Sequence, residues 1–199
     1  MKGFVFFMTE KTKIGAWIVS SVKISFIFAA VFWAVEAIQL LGFELYEFGI
    51  LPRSTEGLMG IVTSPFVHAG PKHLLANTIP FLVLIFLLFL FYRKKAFFIL
   101  LAIWLVTGIL TWLIGRMAWH IGASGIIYGL ASFLVFNGIL SRNLKLFIPA
   151  LIVTVFYSGL IFGIFPNNPQ ISWEGHLSGA VSGLICTIIF PRRWLSMRK

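Results

Sequence analysis

Residues 121–129 read IGASGIIYG and place one hydroxyl, Ser124, between small residues where an apolar run begins. Serine attacks a carbonyl only when a base takes its proton, and near neutral pH that base is usually histidine. The four histidines are His68, His73, His120 and His176, and His176 lies in the last apolar run, within EGHLSGAVSG. Ser124 with His176 is the minimum set for acyl transfer. The oxyanion formed on attack needs donors, and the free backbone N–H groups at a helix start, where Ser124 falls, supply some. His73 and Asn77, four residues apart on one helix face, offer side-chain donors across the same space. Gly122 and Gly125 leave room for a substrate backbone to come close. Tyr128, one turn beyond Ser124, is placed to pack on the imidazole.

The chain contains no aspartate, and its glutamates are Glu10, Glu36, Glu44, Glu47, Glu56 and Glu174. A Ser-His-Asp triad is therefore excluded. Glu174 is only two residues before His176 and Glu36 belongs to the first apolar run, so neither is positioned by sequence to orient the base. Glu36 reads as a structural hydrogen-bonding residue. The expectation is a Ser-His dyad with slow turnover, because removing the carboxylate from a triad costs roughly 10⁴-fold. A zinc peptidase built on the histidines is disfavoured: there is no His-Glu-x-x-His, so neither metal nor cofactor is expected. His120, in the loop before Ser124, reads as an interfacial residue without a special role.

These groups must be positioned by membrane-spanning helices. The chain of 199 residues is 59% hydrophobic and 11% charged, with a mean hydropathy of +0.98, far outside the range of soluble domains. Spans need about 20 apolar residues, and six stretches qualify: 24–41, 73–92, 97–115, 122–140, 146–165 and 175–190. The net charge of +10 does not point to nucleic acid. Twelve of sixteen Lys and Arg fall in alternate connections: Lys2, Lys11 and Lys13; Arg93, Lys94 and Lys95; Arg142 and Lys145; Arg192, Arg193, Arg198 and Lys199. Arg53, Lys72 and Arg116 occupy the other side, and Lys23 can snorkel at the start of the first span. The bias puts both termini in the cytoplasm. Tryptophans such as Trp17, Trp119, Trp173 and Trp194 sit near predicted interfaces, as an aromatic belt requires. Cys186 reads as a small buried hydrophobe. Without repeats or linkers, residues 1–199 read as one all-α polytopic domain. The opening lacks a cleavable leader pattern, and the chain is read as mature from Met1, in a prokaryotic plasma membrane.

Counting back from the cytoplasmic anchors gives the depth of each polar group. Asn77 lies sixteen residues from Arg93, roughly 24 Å; Ser124 lies eighteen from Arg142, roughly 27 Å; His176 lies fifteen from Pro191, roughly 22 Å. The three share one level, recessed below the outer edge of a hydrocarbon core about 30 Å thick. Gly179 and Gly183 form a GxxxG that should pack the sixth span against the fourth.

Taken together, these residues resemble the rhomboid intramembrane serine proteases over essentially the whole six-span core. Gly122-Ala123-Ser124-Gly125 matches that family's Gly-x-Ser-Gly, whose serine is the nucleophile. His176 with Gly179 matches its histidine base and the glycine three residues later. His73 and Asn77 match its His-x-x-x-Asn oxyanion pair, His68 a structural, loop-anchoring histidine, and Tyr128 the aromatic that stacks on the base. The resemblance implies a six-helix rhomboid-like bundle that hydrolyses a peptide bond in, or next to, a transmembrane segment of single-span or other membrane proteins. It also implies that residues 166–174 cap the cavity and that substrate enters near the second and fifth spans. A catalytically inactive member of the fold, which binds membrane proteins or helps extract them, is the alternative. The Trp-Arg pair found in the first outside loop of many bacterial relatives is missing here: residues 42–72 have no tryptophan and only Arg53.

Overall fold

The structure, a computed structural model, describes residues 2–190, and within them the side chains of all but residues 2–14 and Lys94. Pro191, Trp194 and the basic group Arg192, Arg193, Arg198 and Lys199 lie outside the described residues, as do the side chains of Lys2, Lys11 and Lys13.

The described residues form an all-helical bundle with seven α-helices and no strand. The helices are α1 (Lys2–Leu40), α2 (Gly60–Thr63), α3 (Pro71–Tyr92), α4 (Ala96–Ile114), α5 (Ser124–Leu140), α6 (Leu144–Tyr157) and α7 (Trp173–Ile189). Each of the six predicted stretches holds one of the long helices. Four helical segments are long and apolar enough to cross a membrane: Gly15–Leu40, Pro71–Tyr92, Ala96–Ile114 and Leu144–Ile164. The chain is a polytopic membrane protein. The shorter pair, α5 and α7, has 17 residues each.

Three boundaries differ from expectation. The helix expected from residue 24 runs back to Lys2, with its span-length apolar part beginning at Gly15, because lysines such as Lys11, Lys13 and Lys23 interrupt the hydropathy but not the helix. The fifth stretch is α-helical only to Tyr157 and continues as a 3₁₀ segment, Ser158–Ile164. Gly159 and Gly163 weaken the wider helix there, whereas hydropathy, unchanged across the join, gives no signal. The sixth helix starts at Trp173, two residues early, because the Ser172 hydroxyl caps it by accepting from the Gly175 N–H (3.2 Å).

The core is apolar and interdigitated. Phe32, Leu74, Leu84, Leu88, Ile99, Ile103, Leu130, Phe133 and Leu134 are fully buried, and Phe32 meets Phe81 edge to face at 4.9 Å. α5 and α7 touch backbone to backbone: a methyl group on Gly179 would run into the carbonyl of Gly125, and one on Gly183 into that of Gly129. The small residues thus set the spacing of the two helices that carry Ser124 and His176, as the GxxxG predicts.

The connection between α1 and α3 is fixed to the segments around the end of α4 and the start of α5. Ile50 and His120 exchange backbone hydrogen bonds of 2.9 and 2.8 Å. Arg53 donates to the carbonyls of Leu113 (3.2 Å) and Gly115 (2.7 Å), and the Trp112 indole donates to the carbonyl of Ser54 (2.9 Å). A tryptophan and an arginine therefore do secure this loop, but the tryptophan comes from the end of α4.

Candidate active site

Ser124 is the first residue of α5. The turn before it depends on Gly122, whose φ of +102° suits glycine and whose missing side chain leaves space for the His73 ring; an added Cβ would lie 2.8 Å from His73 Cε1. The Gly122 N–H donates to the Ser64 carbonyl (2.9 Å), and the Ala123 N–H donates to His68 Nε2 (3.4 Å). His68 thereby anchors the loop that presents Ser124. Its ring is fully buried between Phe32 and His73, and Gln39 of α1 bonds both its backbone carbonyl and its N–H. Burial, and secondarily the neighbouring His73, lowers its pKa to about 4.

The Ser124 hydroxyl lies 2.9 Å from His176 Nε2. On the other side of the ring, Nδ1 lies 2.8 Å from the carbonyl oxygen of Gly163. A carbonyl only accepts, so Nδ1 carries the proton and Nε2 is left to accept from Ser124. The orienting group, sought in vain among the carboxylates, is a main-chain oxygen of the 3₁₀ segment after α6. Tyr128 stacks on the imidazole at 4.2 Å and 8° between planes. A methyl group on Gly163 would collide with the Tyr128 hydroxyl and come within 3.2 Å of His176 Nδ1. Gly163, Tyr128 and His176 form one close-packed unit.

The structure brings His73 to the serine loop through Gly122. Its Nδ1 accepts from the Ala69 N–H (3.2 Å), which leaves the proton on Nε2, beside Gly122. Asn77 is buried one turn further along α3, and its amide donates to the His73 carbonyl (3.0 Å). One of its two N–H groups is thus used within the helix, and no contact joins it to Ser124. Gly125 faces Thr107 of α4 and the Gly175 carbonyl of α7.

His120 departs from the reading made of it. It is buried and bonded through both ring nitrogens: Nε2 donates to the Arg116 carbonyl (3.0 Å), so Nδ1 accepts from the hydroxyl of Ser172, the cap of α7. Burial is the largest influence on its pKa, which is lowered. Glu174 is also buried and pairs with Arg116 at 3.3 Å, not with His176. Glu36 is buried on α1 with one oxygen unpartnered. Among the described residues no group of three His, Cys or Glu side chains converges as metal ligands would. Beside Ser124 a cavity of about 30 Å³ is lined by apolar side chains such as Ile50, Ile61 and Trp104 together with Thr107, Thr111, His120 and Ser172, with room for one water.

The fold is that of a multi-pass membrane protein in which two buried helices bring a serine and a histidine into hydrogen-bond contact. The family model described as Rhomboid domain matches residues 55–193, and the chain belongs to the rhomboid family. An uncharacterized protein of Mycobacterium tuberculosis is 39% identical over 191 residues, covering 91% of this chain and 79% of that one. One of Mycobacterium leprae is 36% identical over 191 residues, covering 91% and 75%. A protein of Acanthamoeba polyphaga mimivirus, named as a rhomboid protein, is 31% identical over 131 residues, covering 63% of this chain and 71% of its own length.

Proposed function

We propose that this chain is an intramembrane serine endopeptidase that cleaves membrane proteins at a peptide bond in, or next to, a transmembrane segment. The observation that carries this reading is the 2.9 Å approach of Ser124 Oγ to His176 Nε2, in a tautomer already fixed for accepting its proton.

Ser124 attacks the scissile carbonyl while His176 Nε2 takes the hydroxyl proton. The Gly163 carbonyl keeps the imidazole ring oriented and faces the developing imidazolium with a dipole, not a full charge. That is a weaker partner than the carboxylate of a triad and accounts for slow turnover. The oxyanion is received by the Ser124 N–H, by the His73 Nε2–H and by the remaining Asn77 N–H. His176 then gives its proton to the leaving amine. A water, for which the cavity beside Ser124 has room, opens the acyl-enzyme with His176 again as base.

We read the whole chain as one domain that crosses a prokaryotic plasma membrane six times with both termini in the cytoplasm. Substrates are single-span or other membrane proteins, and no cofactor takes part.

Labelling of the purified protein with a fluorophosphonate tests this. The expected result is a covalent adduct on Ser124 that Ser124→Ala and His176→Ala both abolish, with cleavage of a single-span substrate insensitive to chelators. An unlabelled wild type, still folded, would instead favour an inactive rhomboid-fold protein that binds membrane proteins.

A further inference from the structure

Two segments lead into the reacting pair. Residues 115–123 run into Ser124, and residues 169–175 run into His176. Arg116 spans the gap between them. Its Nη2 donates to the carbonyls of Pro169 (2.7 Å) and Ile171 (2.9 Å), and its Nη1 donates to Glu174 Oε1 (3.3 Å). Only 4% of the Glu174 side chain is exposed, against 38% for Arg116, and Glu174 Oε2 has no partner.

Helix capping does not account for this arrangement. The start of α7 is already capped by Ser172, yet a carboxylate is buried in the same turn with one oxygen unsatisfied. Such a group is costly to bury unless its partner is fixed. The guanidinium is fixed, because its fork is held by two carbonyls as well as by the carboxylate. A second link runs in parallel: the Arg116 carbonyl accepts from His120, and His120 accepts from the Ser172 hydroxyl. The His176 N–H in turn donates to the Ser172 carbonyl (3.1 Å). The bonds from Arg116 to Pro169, Ile171 and Glu174 and the bond from Ser172 to His120 join the approach to the nucleophile with the approach to the base, and the other two tie each approach within itself.

We propose that Arg116 is a positioning residue: through Glu174 and the carbonyls of Pro169 and Ile171 it braces the start of α7 against the serine loop, and so sets the separation of His176 from Ser124. The proposal rests on the protease reading. It also divides the connection between α6 and α7 into a braced part, 169–172, and a preceding part to which Arg116 makes no bond.

The test uses the full chain in detergent, with fluorophosphonate labelling of Ser124 and kcat and KM for a single-span substrate. Arg116→Ala should slow labelling and lower kcat on the order of 10²-fold, the scale of a displacement near 1 Å, while KM stays within about twofold. Arg116→Lys should stay close to Arg116→Ala, because an ammonium cannot reach the three oxygens together. Glu174→Gln should lose about tenfold, and adding it to Arg116→Ala should cost little more, since the two act as one unit. If Arg116→Ala does not accumulate in folded form, the isosteric Glu174→Gln decides by the same readouts. An unchanged or increased kcat, a loss confined to KM, or simple additivity overturns the brace. A wild type that does not label overturns the protease reading and the brace with it; a wild type and an Arg116→Ala variant that label at equal rates overturn the brace alone.

Discussion

At the end of the bundle that holds Ser124, loops hold the helices by hydrogen bonds: Arg53 to the end of α4, Arg116 and His120 to the start of α7, His68 and Ser64 to the turn before Ser124. At the opposite end, apolar side chains pack around a short polar chain. Tyr92 donates to Asn137 and Asn137 to the Phe190 carbonyl, each at 3.3 Å, while Phe133 and Leu88 fill the space around them. The difference follows from what each end must hold. Apolar packing is non-directional and fixes a volume, whereas a proton transfer needs an angle and a distance, which directional bonds supply. Around Ser124 and His176 most buried polar groups have partners, because burial without them is expensive.

The contrast can be sharpened by substitutions at the two ends. The largest effect is expected at Gly163, where Gly163→Ala pushes the orienting carbonyl away from His176. Turnover should fall on the order of 10²-fold with a melting temperature close to that of wild type. A drop in stability with turnover intact would mean that the carbonyl serves packing only.

The next effect concerns His68. Its folded pKa of about 4 lies below its ordinary value near 6.5. The neutral ring's contribution to stability is therefore complete above about pH 6.5 and is lost as the pH falls toward 4, the unfolded chain taking up the proton first. Melting temperature should decline over that window, and less steeply in His68→Gln. Parallel curves for the two proteins would contradict the assignment. The smallest effect belongs to the end remote from Ser124: Asn137→Ala should cost about 1–2 kcal/mol of stability and leave kcat unaltered.

The contact of Ser124 with His176 was legible in the sequence because a lone serine and a histidine stand out against hydrocarbon, and rise per residue converts their positions to depth. Tyr128 followed from helical periodicity, and His73 from its place on one face with Asn77. Gly163 was not legible, since the working atom is a carbonyl that every residue possesses. Arg116 was counted among the few outside cations as a marker of topology, and nothing in a charge count reveals that it clasps Glu174. The bonding of His120 was not legible because a histidine in a short loop looks solvated, and its pairing with Ile50 and Ser172 comes from segments distant in sequence. The fold was legible to the extent that it is made of apolar helices. The change to 3₁₀ geometry after Tyr157 was hidden, because both conformations present equally greasy side chains.

The glycine contact between α5 and α7 bears on handling as much as on chemistry. With main chain against main chain at Gly125 and Gly179, neither an acyl chain nor a detergent tail can wedge between the two rods. Their register is consequently insulated from the solvent in which the protein is kept, so micelles, nanodiscs and native bilayers should all preserve the same Ser124 to His176 spacing.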